Sequence, residues 1–303
     1  MNFLDFQNRF SNEDAIVKYF VRIRYGEDVC CNHCGSLKVY QRPDRLKIFQ
    51  CGDCTNDFSV FKDTIFENSS TDLRKWFYAI HLFLNGKKGI SGCQLQREID
   101  VTYKTAWRML QLIRIAMGNH SLKGVFEGVM EMDETYLGGK PRKDANGKVT
   151  WKAADAWSKK IPVVGIKDRD NNVVHAEVAL PDDNKKSLDS KALLRILKGV
   201  AKEGSTVITD EYGGYCKVSQ NNFKHLMINH SKGFVSGDIH TNGIENFWSV
   251  MKRGIYGIYH YASLKYLQRY VDEFCFRYNN RHNPETFDLV LKCSIVTSNK
   301  VRR

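Results

Sequence analysis

Two cysteine pairs, Cys31-Asn32-His33-Cys34 and Cys51-Gly52-Asp53-Cys54, stand sixteen residues apart, and no other feature restricts the fold of this chain so tightly. A CxxC turn presents two thiolates without strain, and two such turns supply the four ligands of a tetrahedral zinc ion. The segment around them is short of apolar side chains, so metal would supply much of its folding energy. Cys30 leaves an alternative open, because it can stand in for Cys31. His33 reads as a solvated turn residue, and Gly35 and Gly52 suit knuckle turns at positive φ. Cys93, Cys216, Cys275 and Cys293 show no ligand spacing and read as buried free thiols. The first thirty residues are studded with charge and lack the apolar core of a signal peptide. Cysteines in such a chain point to a reduced compartment and to metal ligation, not to disulfides.

The charge is uneven. Residues 69–124 and 251–303 each carry +6, whereas residues 1–68 carry −1 and residues 125–250 carry +1. Two basic blocks flanking a near-neutral middle fit a polyanion held by the flanks and processed between them. Apolar residues make up 42% of the chain, enough for a sizeable core, yet no apolar run reaches the roughly 18 residues of a membrane span.

Four segments follow from the patterning. Residues 1–25 carry Phe3, Phe6, Phe10, Ile16, Tyr19 and Phe20 at helical spacing, with Ser11 as a candidate N-cap. Residues 26–68 hold the cysteine pairs among short β-like runs. Residues 69–124 are helical, broken at Asn85-Gly86 and near Asp100. From about Val125 to residue 303 the texture is mixed α/β. Strands are expected at Val125–Met132, Ile161–Ile166, Val173–Leu180, Thr206–Thr209 and His225–Ile228. Helices are expected over Ser187–Lys202, Thr241–Gly254 and Leu264–Asn279.

Within the helical segment, Leu73, Phe77, Ile80 and Leu84 share a face. A short helix to Ile99, a turn at Asp100-Val101 and a longer helix from Thr102 read as a helix-turn-helix. Its second helix would offer Thr102, Tyr103, Lys104 and Arg108 to DNA near its N-terminal end. Ala106, Trp107, Leu110 and Ile113 would face the core. The competing reading is a plain helical bundle with a solvated basic face.

Three acids sit where acids are awkward. Asp133 ends an apolar-rich strand, Asp210 ends Thr206-Val207-Ile208-Thr209, and Glu245 lies on a predicted helix. Carboxylates so placed can converge on hard divalent cations, and two such cations clamp both oxygens of an in-line phosphoryl transfer. Glu131, Glu134 and Glu211 are rivals, and strand alternation does not separate Asp133 from Glu134.

Three runs then make a resemblance specific. They are Met132-Asp133-Glu134-Thr135-Tyr136-Leu137-Gly138-Gly139-Lys140, Thr209-Asp210-Glu211, and His240-Thr241-Asn242-Gly243-Ile244-Glu245-Asn246-Phe247-Trp248-Ser249 with Lys252-Arg253-Gly254. Tyr259-His260 and Phe276-Arg277-Tyr278-Asn279 fit the same group. Over residues 26–282 the chain resembles a DDE-superfamily insertion-sequence transposase, with a zinc ribbon ahead of an RNase H-like catalytic domain. The resemblance implies an α/β fold: an RNase H-like mixed sheet preceded by the ribbon and the helix-turn-helix. It puts the catalytic triad on Asp133, Asp210 and Glu245, with Asn242 and Asn246 in view because some members carry asparagine for the glutamate. Lys252, two helical turns after Glu245 and so on the same face, matches the family's basic partner to DNA phosphate, with Arg253 beside it. Two Mg²⁺ (or Mn²⁺) ions are implied at the acids, and one structural Zn²⁺ at Cys31, Cys34, Cys51 and Cys54. Implied partners are double-stranded DNA, as element ends and target, and further copies of the chain, at least a dimer on DNA, with no membrane. The expected location is cytoplasmic and DNA-associated. A zinc-ribbon and helix-turn-helix regulator without chemistry, or a domesticated inactive transposase, are the alternatives.

Overall fold

The computed structural model describes residues 1–120, 126–138, 160–179, 188–229 and 238–295. These form two compact units, residues 1–120 with 282–295, and the described residues between them. Gly139 and Lys140, which close the first matching run, lie outside the described residues, as do Val125, Leu180 and Ser187.

The first unit opens with α1 (Phe3–Arg9) and α2 (Glu13–Tyr25). The N-cap of α2 is Asn12, not Ser11: its carboxamide oxygen accepts from the Ala15 backbone N–H at 2.8 Å. Asn reaches the N3 amide as well as Ser does, so the residue adjacent to the helix took the role. The strands β1 (Val39–Gln41), β2 (Ile48–Cys51) and β3 (Asp57–Ser59) make an antiparallel sheet in that order. Three helices follow: α3 (Leu73–Asn85), α4 (Gly92–Ile99) and α5 (Tyr103–Asn119). Asp100 closes α4 in the left-handed region, and Thr102 caps α5 by accepting from Thr105 N–H at 3.2 Å. The turn therefore lies where the sequence placed it. Ala106, Leu110 and Ile113 are buried as expected, but Trp107 is only half-buried.

The last helix of this unit, α9 (Thr286–Cys293), belongs here and not with the strands that precede it. Phe287 packs 5.6 Å from Phe10 and 5.8 Å from Phe77, ring centre to ring centre. Tyr19 Oη donates to Asp288, and Asn119 Nδ2 donates to the Cys293 carbonyl. The sequence-based boundary, which carries the last domain through residue 303, misses this because the anchoring aromatics are far apart along the chain.

The second unit is built on a five-stranded mixed sheet. Its strands are β4 (Val129–Leu137), β5 (Ile161–Asp168), β6 (Val173–Val178), β7 (Thr206–Thr209) and β8 (Lys224–Met227), in the order β6-β5-β4-β7-β8. β4, β5 and β6 pair antiparallel, and β7 runs parallel to both β4 and β8. This is the RNase H-like α/β sheet expected from the sequence. Helix α6 (Ser190–Val200) covers one face, where Leu193, Ile196 and Leu197 meet Met130, Met132, Val164 and Ile166. On the other face lie α7 (Asn242–Gly254) and α8 (Leu264–Asn279). Ile244, Phe247, Trp248 and Met251 of α7 bury themselves there against Val163, Val174 and Ala176. Burying each such aliphatic or Phe side chain is worth roughly 1.5–3 kcal/mol, so this stripe sets which face of α7 meets the sheet.

Candidate active site and metal centre

The period of two along β4 sorts its acids. Glu131 and Asp133 point toward α7, whereas Glu134 points to the α6 face with Met130 and Met132. Glu134 Oε2 accepts from the buried Tyr215 hydroxyl at 2.5 Å. Asp133 Oδ2 accepts instead from the Trp248 indole at 2.9 Å. The structure thus separates the two neighbours that alternation alone left open.

Asp210 follows the last residue of β7. The parallel register pairs Glu131 with Ile208; continued by two residues it sets Asp210, just past the carboxyl end of β7, beside Asp133, which lies in the middle of β4 and does not end its strand as the sequence suggests. Open α/β sheets bind ligands at that end. Burial first, then the nearby Glu134 and Asp210 charges, push the Asp133 carboxyl up to about 7. Glu134 is raised as well, mainly by burial. Carboxylates crowded in this way are hard oxygen donors of the type a divalent ion takes.

Glu245 is on the same helix one turn before Trp248, and its carboxylate accepts from Thr241 Oγ1 at 2.8 Å. Among the described residues, only the four cysteines bring three or more ligand atoms within 4.8 Å of one another; the three acids do not. Lys252 lies one turn beyond Trp248 and is half-buried; burial lowers its pKa, against a raising pull from Asp133. Arg253 is exposed beside it.

Sequence reasoning missed the parts that hold α7 in place. Gly165 sits directly opposite Asp133 in the β4–β5 ladder. A Cβ there would fall 2.5 Å from the Trp248 ring, so only glycine lets the indole lie over the strand and reach Asp133. An isolated glycine inside an apolar strand was the available signal. Glu131, a rival acid in the sequence, is 1% exposed and accepts from Ile244 N–H at the start of α7 and from Arg169 Nε, both at 2.8 Å. Arg169 also donates to the carbonyls of Asp238 and His240, both at 2.6 Å. This buried pair fixes the entry into α7, so Glu131 is occupied structurally.

In the ribbon, Cys31, Cys34, Cys51 and Cys54 converge, and Cys30 stays outside the cluster. Cys31 and Cys54 sulfurs are 3.7 Å apart, and those of Cys34 and Cys51 are 3.5 Å apart. A tetrahedron with Zn–S near 2.3 Å has edges of about 3.8 Å, so the cluster fits that ion. The His33 and Cys54 amides donate to the Cys31 and Cys51 sulfurs, each at 3.4 Å, and the Cys54 amide is the main cause holding the Cys51 thiol down at about 6. Gly35 takes the expected positive φ of 74°. Gly52 does not; a Cβ there would press on the Lys38 carbonyl and the Tyr40 ring. The buried-thiol reading of the other cysteines is corrected: Cys93 and Cys216 are exposed, Cys275 and Cys293 half-buried. Cys93 falls in the first turn of α4 on its solvent side, and Cys216 in a short 3₁₀ turn.

Thr102, Tyr103, Lys104 and Arg108 are all exposed along the start of α5. No helix among the described residues is long and apolar enough to cross a membrane.

A mixed sheet with acids on neighbouring strands, a helix laid over one face and a cysteine knuckle upstream fit a DDE-type transposase. The chain belongs to the ISXO2-like transposase family: residues 125–279 match the ISXO2-like transposase domain and residues 11–57 the transposase zinc-ribbon domain. The second match takes in α2 as well as the cysteine segment. The chain is 30% identical over 261 residues to an uncharacterized protein in transposable element ISH50 of Halobacterium salinarum, covering 80% of this chain and 83% of that one. It is 32% identical over 94 residues to an uncharacterized transposase-like protein of Haemophilus influenzae, covering 31% of this chain and 76% of the relative. Among solved structures, a simian T-cell lymphotropic virus intasome in complex with a PP2A regulatory subunit aligns at a TM-score of 0.30 and 14% identity. That alignment covers 66% of this chain and 64% of the other.

Proposed function

We propose that this transposase binds the terminal inverted repeats of its insertion sequence and carries out metal-dependent nicking and strand transfer on DNA. The observation that carries the reading is the level placement of Asp133 and Asp210, with the helix bearing Glu245 tied to Asp133 through Trp248. Asp133, Asp210 and Glu245 would hold two Mg²⁺ or Mn²⁺ ions, Glu245 by turning from Thr241 toward the strand ends. Such ions supply activation of the attacking oxygen and charge neutralisation at the leaving oxygen. Trp248 orients Asp133, and Lys252 on the same helix face steadies the DNA phosphate. The protein works on double-stranded DNA, as element ends and target, in the cytoplasm and as at least a dimer. Incubating it with labelled element ends and Mg²⁺ tests this: 3′-end nicks and joined products are expected. Tight end binding with no metal-dependent product would favour a DNA-binding regulator instead.

Two further outcomes follow from the front end. Chelator-washed protein is expected to retain one zinc per chain by elemental analysis, held by Cys31, Cys34, Cys51 and Cys54. Cys51→Ser should unfold the ribbon and weaken DNA binding while the mixed-sheet unit stays folded by circular dichroism. Finding no zinc removes the metal from the account. At the exposed start of α5, Lys104→Ala or Arg108→Ala should weaken DNA binding and reduce its salt slope by roughly one each, as phosphate contacts are lost. Unchanged affinity and slope in both variants would leave α3–α5 as an ordinary helical bundle.

A further inference from the structure

β7 ends at Thr209, whose carbonyl accepts from the Ile228 N–H at 2.9 Å. Asp210 follows one residue beyond the strand, so its aim depends on what the side chains and the turn around it provide. The Thr209 hydroxyl folds forward and donates to the Asp210 carbonyl at 2.8 Å. Asp210 Oδ1 accepts from the Tyr212 N–H at 3.0 Å, an Asx-type turn. That turn is pinned in its own right, since Tyr212 Oη donates to the Leu188 carbonyl at 2.9 Å. The Tyr212 ring also lies so close to Gly214 that a Cβ there would collide with it.

A further group completes the arrangement. His225 of the edge strand β8 reaches across to β7, and its Nε2 lies 2.9 Å from Thr209 Oγ1. Period two puts Thr209 with Val207 on the α6 face of the sheet, and Asp210 on the other. Val207 and His225 are partners in the β7–β8 register, so the ring leans along the strands toward their carboxyl ends. Thr209 is fully buried and His225 half-buried, which limits competition from water. Proton counting then gives the bond its direction. A threonine hydroxyl has one proton to donate and lone pairs with which to accept. Its proton goes to the Asp210 carbonyl, so toward His225 it acts as the acceptor. His225 must therefore carry a proton on Nε2. Burial lowers the His225 pKa, so the ring is held neutral with a single N–H, and this tautomer uses it. With the proton on Nδ1 instead, the hydroxyl would turn to Nε2 and the Asp210 carbonyl would lose its donor.

We propose that His225 is a positioning residue for Asp210, donating from Nε2 to the Thr209 hydroxyl and so fixing the backbone that aims the Asp210 carboxylate. His225 is not itself a ligand. Outer partners of this kind hold a ligating group at its angle, and losing one typically costs about 10–100-fold in metal affinity or activity. The proposal rests on Asp210 being a metal ligand, as in the transposase reading, and names what keeps that ligand aimed.

The test uses the full chain with ¹⁵N-labelled histidine, read by long-range proton–nitrogen correlation, with His225→Gln to assign the resonance. The His225 ring should show its proton on Nε2; a neutral ring protonated on Nδ1 overturns the proposal. Mn²⁺ binding is then followed by electron paramagnetic resonance, and nicking of labelled element ends is followed against Mg²⁺ concentration. His225→Ala and Thr209→Val should each raise the half-saturating metal concentration by roughly 10–100-fold in both assays. Element-end affinity should not change, and nicking should recover as Mg²⁺ is raised. His225→Gln puts an amide N–H near the Nε2 position and Thr209→Ser keeps the hydroxyl, so both should retain most of the original metal affinity. Metal binding in His225→Ala equal to that of the unaltered protein overturns the proposal. So does a fall in stability with matching loss of end binding and no recovery at high Mg²⁺, because His225 would then serve the fold alone. Unaltered protein that binds no Mn²⁺ removes the metal reading of the acids, and the proposal with it. Normal Mn²⁺ binding that is indifferent to every variant removes the proposal and leaves the transposase reading standing.

Discussion

Asp133→Asn, Asp210→Asn and Glu245→Gln should each reduce nicking and strand transfer by roughly three orders of magnitude or more, while the fold and element-end binding persist. Each change replaces a charged ligand by a neutral one of nearly the same shape. Asp133→Asn also retains an oxygen for the Trp248 indole, so α7 stays seated. The losses should not add in a double variant, because ligands of one centre act as a unit. Lys252→Ala should be milder, since it touches phosphate positioning and leaves the three carboxylates in place. Glu134→Gln separates the site from its neighbourhood: its carboxylate is engaged by Tyr215 on the opposite face of the sheet, so activity should largely survive. Loss in Glu134→Gln with full activity in Glu245→Gln would reassign the third acid. Normal cleavage in all three triad variants would remove the catalytic reading altogether.

How far the sequence reached depends on the range of the interaction involved. The cysteine knuckle, the turn at Asp100-Val101 and most of the strands were legible, because ligand spacing, capping and apolar periodicity are local. Cys31 fits the CxxC spacing, but a CxxxC turn from Cys30 also reaches a zinc ion, so the sequence favoured Cys31 and left Cys30 open until the cluster was seen. Asp133 and Glu134 were likewise equivalent until the packed faces were known, since period two says that they diverge but not which one meets α7. The position of α9 escaped because Phe10, Phe77 and Phe287 share no local pattern. Gly165 and Trp248 could each be noticed alone, but their dependence on one another is a fact of helix-on-sheet packing. Glu245 is carried by α7, and its carboxylate turns back to accept from Thr241, an orientation no local sequence pattern encodes.

Arg169→Ala should destabilise the mixed-sheet unit by about 3–5 kcal/mol in chemical denaturation, the cost of stripping a partner from a buried charge. Glu131 is 1% exposed and Arg169 17%, and their 2.8 Å bond lies under the first turn of α7. Removing the guanidinium leaves the carboxylate with the Ile244 amide and, at 3.6 Å, the His240 ring. It also frees the carbonyls of Asp238 and His240, which set the path of the chain into the helix. Replacing both partners with apolar residues, Glu131→Leu with Arg169→Met, removes the stranded charge and should recover much of the lost stability. Activity should behave differently. The double variant still lacks the bonds from Arg169 to the Asp238 and His240 carbonyls and from the Ile244 amide to Glu131, so Glu245 and Lys252 would no longer be held in register with Asp133. Nicking should therefore stay low in the single and the double variant alike, while unfolding free energy separates them. A double variant no more stable than Arg169→Ala would show that the pair is not a buried ion pair in the sense argued. One that nicks at the rate of the unaltered protein would show that α7 is positioned by its apolar stripe alone.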